Sequence, residues 1–180
     1  MDTIQIKDKT FATFIPEEKI LKEVDRVAQE INRDLKGETP LFISILNGSF
    51  MFTADLLKRI NLPCEVSFVK LASYQGTDST GKVKEIVGLN NNIEGRTVVI
   101  VEDIIDTGVT MSHLLKSLKQ KNPKKLVVAT LLIKPGKLKV NLDIDYIAMK
   151  IPNDFIVGYG LDYDQLGRNY RDIYTVINNI

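Results

Sequence analysis

One apolar stretch that ends in acidic residues constrains this chain more than any other feature. Residues 98–111 have the sequence VVIVEDIIDTGVTM, in which an apolar run precedes Glu102, Asp103 and Asp106. Such a run is typical of a strand buried on both faces of a parallel sheet. Carboxylates at the end of a buried strand cost free energy unless something there needs their charge. The stretch therefore predicts a binding site at the carboxyl end of a central strand.

The rest of the chain alternates apolar strands with amphipathic helices. Residues 17–35 place their apolar side chains on one helical face, and the solidly apolar LFISIL follows at 41–46. Further helices are predicted at 50–60 and from the TGVT turn to about Gln120, and further strands at 64–74, 124–134, 144–151 and 174–177. This alternation predicts an α/β fold in a single domain, residues 1–180, with a mostly parallel core sheet flanked by helices.

The composition limits the kinds of partner and metal. The formal net charge is +1, so the chain has no general attraction to nucleic acid or membrane. One cysteine and one histidine argue against a disulfide framework and a zinc site, and leave a hard cation bound by oxygens. No apolar run approaches a membrane span, and the N-terminus lacks an apolar signal core. We therefore predict a cytoplasmic protein with no nucleic-acid or membrane partner.

The residues after the acids have the pattern of a phosphate-binding turn. Thr107, Gly108, Val109 and Thr110 lie where the strand gives way to a helix, and exposed amide groups and the helix dipole favour an anion there. The turn has neither the lysine nor the length of a Walker loop, so a monophosphate suits it better than a triphosphate. The alternative interpretation is that these residues merely cap the helix.

The acids fit sugar hydroxyls and a metal better than they fit a phosphate alone. Adjacent carboxylates such as Glu102 and Asp103 accept hydrogen bonds from a vicinal diol such as that of ribose, and they also bind Mg²⁺ through retained waters. Asp106 is ionised at neutral pH in the ordinary case and is able to accept a proton. The alternative is that the acids are solvated loop residues. Together the acids and the turn favour a ligand that carries ribose, phosphate and a metal ion.

The stretch VVIVEDIIDTGVTM resembles the signature of the type I phosphoribosyltransferases. The similarity continues through LNGS, SYQGTDSTGKVK, LLIK and DFIVGYGLDYDQLGRNY, the last of which is typical of the hypoxanthine-guanine phosphoribosyltransferases of purine salvage. The resemblance implies transfer of the 5-phosphoribosyl group of phosphoribosyl pyrophosphate (PRPP) to a 6-oxopurine, hypoxanthine or guanine, giving IMP or GMP and pyrophosphate. It also implies Mg²⁺ as cofactor, a homodimer or homotetramer, and a small hood from the N-terminal segment and roughly residues 145–180.

The resemblance gives residues on the nucleotide side their roles. Glu102 and Asp103 match the acidic pair that binds the ribose diol, and with Asp162 they match the metal ligands. Asp106 matches the residue that takes the proton from purine N7. The implied contacts to PRPP and nucleotide further include Ile105, Thr107, Gly108, Val109, Thr110, Asn47, Gly48 and Arg168.

The LNGS stretch matches the pyrophosphate loop of the family, with one departure. Many relatives carry lysine or arginine where this chain has Asn47, so a positive charge is missing from the leaving-group site. In relatives the peptide before this residue is often cis. Gly48 still lets backbone amides approach a ligand closely.

The resemblance also implies a purine-binding set. Lys134 has donors only, so it pairs with a 6-oxo oxygen and not with a 6-amino group, which predicts strong rejection of adenine. Phe155 matches the aromatic that stacks on the base, although its spacing alone predicts a core residue. Ile156, whose backbone faces the base edge, and Asp162 complete the set.

A lid is the last implied feature. Residues 75–88 are polar and have no helical face, which is typical of a functional loop. Ser73 and Tyr74 match the start of the family's mobile loop. Closure of such a lid would exclude water from the reaction.

Two other classes of function use similar residues. A regulator on the same fold would sense PRPP or a nucleotide while binding RNA or DNA, and it should show a basic face, which the near-neutral charge argues against. The presence of Asp106, Lys134 and Phe155 together favours chemistry. A receiver-like phosphoacceptor domain would take its acids from several strand ends and not from one cluster.

Overall fold

The computed structural model describes residues 2–73 and 84–177, which form two sheets and three α-helices. In chain order the elements are β1 (Thr3–Ile6), β2 (Lys9–Ile15), α1 (Glu17–Asp34), β3 (Leu41–Leu46), α2 (Phe50–Leu57), β4 (Glu65–Ser73), β5 (Lys84–Val87), β6 (Thr97–Ile105), α3 (Val109–Lys119), β7 (Lys125–Ile133), a 3₁₀ turn (Pro135–Lys137), β8 (Tyr146–Lys150), β9 (Ile156–Val157) and β10 (Ile173–Ile177). None of the described helices is long and apolar enough to cross a membrane.

The larger sheet has six strands in the order β5-β4-β3-β6-β7-β8. All neighbours run parallel except β5, which pairs antiparallel with β4 at the edge. Central strand β6 is apolar on both faces because both are covered. Val99 and Val101 pack in the core cluster with α1 and α2, and Val98 and Ile100 pack in the cluster with α3. The predicted α/β fold, a mostly parallel sheet flanked by helices, is confirmed.

Helix α1 follows the sequence pattern closely. It begins after Pro16, with Glu17 and Glu18 in the first turn, where the helix dipole favours acids. The face that it buries against the sheet consists of Ile20, Val24, Val27, Ala28 and Ile31. The apolar spacing therefore predicted both the extent of this helix and its buried face.

The smaller sheet joins the two ends of the chain in the order β1-β2-β10-β9, with antiparallel pairs throughout. The hairpin of β1 and β2 was not predicted as strands. The hood boundary near residue 145 was wrong, because Tyr146–Lys150 pairs parallel with β7 and completes the larger sheet. The first C-terminal strand of the smaller sheet is instead Ile156–Val157.

The register of the larger sheet brings three loops to one edge. Ser44 of β3 lies opposite Val101 of β6, so the loop after β3 lies beside the acids of β6. Ile105 of β6 lies opposite Ile133 of β7, so Lys134 follows its strand beside Asp106. Ligand sites in such sheets form at this carboxyl edge.

Candidate active site

A pocket of about 180 Å³ opens at the carboxyl end of β6. It is lined by Glu102, Ile104, Ile105, Asp106, Thr107, Gly108, Thr110 and Met111. Two of the predicted acids, Glu102 and Asp106, thus share one pocket with three residues of the predicted turn, whereas Asp103 does not line it. Pockets for whole ligands usually span about 300–1,000 Å³, so this one has room for only part of such a ligand.

The turn before α3 owes its shape to Gly108. This residue has φ 76°, in the left-handed region that glycine adopts without strain. A Cβ atom there would also lie 3.1 Å from Val140 and 3.2 Å from Leu138. The backbone N–H of Val109 donates weakly to the hydroxyl of Thr107 over 3.4 Å. The N-terminus of α3 and its dipole therefore border the pocket, as an anion site requires.

Asp103 packs directly on the loop after β3. A Cβ atom added to Gly48 would lie 1.6 Å from Asp103 Oδ2, so no other residue fits there without displacing the carboxylate. Gly48 is buried, Asn47 is exposed, and the Leu46–Asn47 peptide is cis, as the resemblance predicted. The backbone N–H of Ile104 donates to Asp103 Oδ1 over 2.8 Å. Two strand ends therefore fix the position of Asp103.

The acidic pair has the donor chemistry of a hard-cation site. Burial raises the pKa of the Asp103 carboxyl, while contacts with Glu102, the Ile104 N–H and Arg168 act in the opposite direction. A half-buried pair of carboxylates fits Mg²⁺ that keeps several waters. The predicted set Glu102, Asp103 and Asp162 does not gather, because residues 2–73 and 84–177 contain no cluster of three or more candidate ligands.

Asp106 has two different oxygen environments. Oδ2 lies 3.2 Å from Lys137 Nζ in an ion pair. Oδ1 is buried and has no hydrogen-bond partner within the described part of the chain. A buried carboxylate oxygen without a donor is costly, so it favours a ligand that brings one. Lys137 was missed from the sequence, although it lies only three residues after Lys134.

Lys134 lies at the end of β7, with 7% of its surface exposed. Its backbone N–H donates to the Ile105 carbonyl over 3.1 Å, which ties it to β6 beside Asp106. Burial lowers the pKa of the Lys134 ammonium, whereas the charges of Asp106 and Asp154 favour its protonated form. The charge of Asp106, the predicted proton acceptor, thus acts on the ammonium of Lys134, the predicted purine-binding lysine.

Phe155 is not a core residue, so the prediction from its spacing was wrong. Its side chain is 45% exposed and lies just before β9. The ring packs edge-on against Tyr163 at 5.7 Å and tilted against Phe11 at 6.2 Å. One face of the smaller sheet therefore holds this aromatic at the surface, while Ile156 next to it is buried.

Arg168 is held by the segment that also carries Asp162. Its Nη1 donates to the Gly160 carbonyl over 2.9 Å, and its Nη2 lies 2.8 Å from Asp162 Oδ1. A Cβ atom added to Gly160 would lie 2.1 Å from the Gly48 carbonyl oxygen. The structure therefore brings Arg168 towards the loop of Gly48, on which Asp103 of β6 packs.

The predicted lid is described only at its two ends, and the loop prediction was wrong at Lys84–Val87, which form strand β5 because they pair with β4. Ser73 ends β4, and Tyr74 lies outside the described residues. Sequence reasoning also missed a hydroxyl network under the loop after β3, where Ser44 Oγ lies 2.7 Å from both Ser49 Oγ and Thr53 Oγ1. All three hydroxyl residues are buried, so this network supports the loop from below.

Comparisons with known proteins agree with this geometry. The family model described as the phosphoribosyl transferase domain matches residues 15–164. A hypoxanthine-guanine phosphoribosyltransferase of Streptococcus pyogenes serotype M3 is 40% identical over 158 residues, which cover 87% of this chain and 86% of that protein. A crystal structure of a hypoxanthine-guanine phosphoribosyltransferase from Bacillus anthracis, with HEPES in its active site, has TM-score 0.83 and 38% identity, over 93% of this chain and 97% of that one.

Some relatives are much longer. A bifunctional TilS/HprT protein of Listeria monocytogenes serotype 4b is 40% identical over 156 residues, which are 86% of this chain. The chain spans about a quarter, 24%, of that protein's length. The similarity therefore concerns one part of the bifunctional protein.

Proposed function

Because the chain belongs to the hypoxanthine-guanine phosphoribosyltransferase family, we propose that it transfers the 5-phosphoribosyl group of PRPP to a 6-oxopurine. Hypoxanthine would give IMP and guanine would give GMP, with pyrophosphate as the second product of this salvage reaction. The observation that carries the proposal is one pocket that Glu102 and Asp106 line together with Thr107, Gly108 and Thr110 of the turn. A cytoplasmic location, where PRPP and free purines occur, belongs to the same proposal.

PRPP binds with its 5′-phosphate on the turn and its ribose on the acids. The backbone amides of the turn and the hydroxyls of Thr107 and Thr110 donate to the phosphate. Glu102 and Asp103 accept hydrogen bonds from the 2′ and 3′ hydroxyls. The close packing of Gly48 on Asp103 supports this step because it leaves the carboxylate one position.

The base binds between Phe155 and the end of β7. Lys134 donates to the 6-oxo oxygen, the backbone of Ile156 faces the base edge, and the half-exposed ring of Phe155 stacks on the purine. Asp106 accepts the proton from N7 as N9 forms its bond to C1 of the ribose. The partnerless Oδ1 of Asp106 supports this role, because it is a buried acceptor without a donor among the described residues.

Pyrophosphate leaves from C1 as that carbon gains positive character. The amides of Asn47 and Gly48 and the guanidinium of Arg168 bind its developing negative charge. Glu102 and Asp103 would hold Mg²⁺, and Asp162 would join them only after its side chain leaves Arg168. The metal would supply further charge neutralisation at the leaving group. Since Asn47 has no charge, Arg168 supplies more of the protein's positive charge at the pyrophosphate than it would if residue 47 were a lysine.

The domain organisation, the lid and the oligomeric state belong to the same proposal. Residues 1–180 form one domain in which the smaller sheet is a hood over the base, and a lid beginning at Ser73 and Tyr74 keeps water from PRPP. A homodimer or homotetramer is supported by β4, where Val66 and Phe68, two residues apart on one face, are 43% and 46% exposed. Light scattering after gel filtration measures this assembly.

The experiment is nucleotide formation from PRPP and Mg²⁺ with hypoxanthine, guanine, xanthine and adenine in parallel. We expect nucleotide from hypoxanthine and guanine and none above background from adenine, because Lys134 has no acceptor for a 6-amino group. Nucleotide formation from adenine at a comparable rate would refute the role of Lys134. No reaction with any base, while PRPP still binds, would refute the enzyme and favour a sensor of PRPP.

A further inference from the structure

Residues 158–168, here called the arginine segment, begin in an unusual backbone conformation. Gly158, Tyr159 and Gly160 have φ values of 96°, 48° and 97°, so three consecutive residues are left-handed. Glycine adopts such values freely, but tyrosine does so at a cost in free energy. The N–H of Tyr159 donates to the Tyr170 carbonyl over 2.8 Å, and the N–H of Gly160 donates to the Arg168 carbonyl over 2.9 Å. Other contacts must hold Tyr159 in this conformation.

The side chain of Tyr159 supplies those contacts. It is 2% exposed and packs in the core cluster with α1 and α2. Its hydroxyl donates to Asp55 Oδ2 over 2.6 Å. Burial and the Asp55 carboxylate both raise the pKa of Tyr159, so its phenol stays a donor. Although burial acts to raise it, the pKa of Asp55 lies below its ordinary value because Tyr159 and Lys58 stabilise the carboxylate.

Asp55 connects this contact to the other half of the site. It lies in α2, which starts directly after the loop of Asn47, Gly48 and Ser49. At the loop itself, Gly160 packs so closely on the Gly48 carbonyl that a Cβ would lie 2.1 Å from the oxygen. The arginine segment thus meets the loop–helix unit at two points, one at the loop and one within the helix.

We propose that the Tyr159–Asp55 hydrogen bond is a positioning contact that sets Arg168 against the pyrophosphate-binding loop. Arg168 donates to the Gly160 carbonyl, so a shift of the segment moves the guanidinium with it. The contact acts mainly on the PRPP and pyrophosphate side of the reaction. Lys134, at the end of β7, lies outside the segment, and the segment reaches Phe155 only through the ring of Tyr163. This inference rests on the proposed function, because it concerns the KM values for PRPP and hypoxanthine in the proposed reaction.

The test compares Tyr159→Phe with Tyr146→Phe as a matched control. Tyr146 is also buried, and its hydroxyl donates to Asp34 over 3.3 Å, but it lies on the edge strand β8, two strands away from β6. Tyr159→Phe should raise the KM for PRPP about tenfold, the factor expected for loss of one hydrogen bond to a charged group. The KM for hypoxanthine should stay within about twofold of the parent value, and Tyr146→Phe should change neither constant.

Substitutions of Asp55 give an independent measurement, including the case in which Tyr159→Phe does not fold. Asp55→Asn keeps an oxygen acceptor and should retain most PRPP affinity, whereas Asp55→Ala should resemble Tyr159→Phe. The double variant Tyr159→Phe, Asp55→Ala should be no worse than either single variant. Equal rises in both KM values, or no change beyond that of the Tyr146 control, would overturn the inference. An inactive parent enzyme would instead overturn the proposed function.

Discussion

Replacing Gly48 by alanine tests how the site holds its acids. The new Cβ would lie 1.6 Å from Asp103 Oδ2, where real Cβ contacts stay above 3.0 Å, so the carboxylate must move by more than an ångström. A misplacement of about 1 Å in such a group costs roughly 100-fold in rate. We therefore expect kcat/KM for PRPP to fall about 100-fold, and the free energy of unfolding to fall by about 1–3 kcal/mol through overpacking.

The assay is initial-rate nucleotide formation at saturating hypoxanthine with PRPP varied, together with thermal unfolding. Gly136→Ala is the matched control, because a Cβ at Gly136 would meet no atom within 4 Å. This control should keep the parent rate. If Gly48→Ala folds normally and keeps kcat/KM within about threefold of the parent, the reaction does not require the position of the Asp103 carboxylate that Gly48 allows.

Three further substitutions separate the remaining roles. Phe155→Ala should raise the KM for hypoxanthine about 10- to 100-fold through lost stacking, with little change in Tm because the ring is 45% exposed; an unchanged KM would exclude stacking. Lys134→Met should abolish the preference for hypoxanthine over adenine. In the parent, kcat/KM should fall as the pH rises, because the reaction requires the Lys134 ammonium. This fall should occur at a lower pH than the pKa of an ordinary lysine, since burial lowers the pKa of Lys134. Lys137→Met should change the rate less than about fivefold, since half-exposed ion pairs contribute about 0–1 kcal/mol; a loss comparable to that of an Asp106 variant would make Lys137 part of the chemistry.

The helices and strands could be predicted from the sequence wherever the spacing of apolar residues reflects which side chains are buried. The apolar run of β6 and the helical face of α1 report local packing, and packing of that kind is encoded in residue spacing. The hairpin of β1 and β2 was missed, and its second strand gains a further partner, β10, from the far end of the chain. Spacing contains no information about such long-range pairing.

The site also has a part that could be predicted from the sequence and a part that could not. The pocket residues of 102–110 are continuous in sequence, so their chemistry was visible as a pattern. The exposure of Phe155, the left-handed Tyr159 and the ion pair of Lys137 with Asp106 depend on how separate segments meet. A tyrosine between two glycines gives a weak signal of left-handed backbone, but nothing in the sequence identifies Asp55 as its partner.

The most direct measurement of the central claim compares the parent with Asp106→Asn. Both are given PRPP, Mg²⁺ and hypoxanthine, IMP and pyrophosphate are quantified, and PRPP affinity is measured separately by calorimetry. We predict equimolar products from the parent and a rate lower by about 10²- to 10⁴-fold in the variant, as for loss of a general base, with PRPP affinity kept. A variant as fast as the parent would contradict the role of Asp106, and a parent that binds PRPP without forming IMP would contradict the enzyme itself.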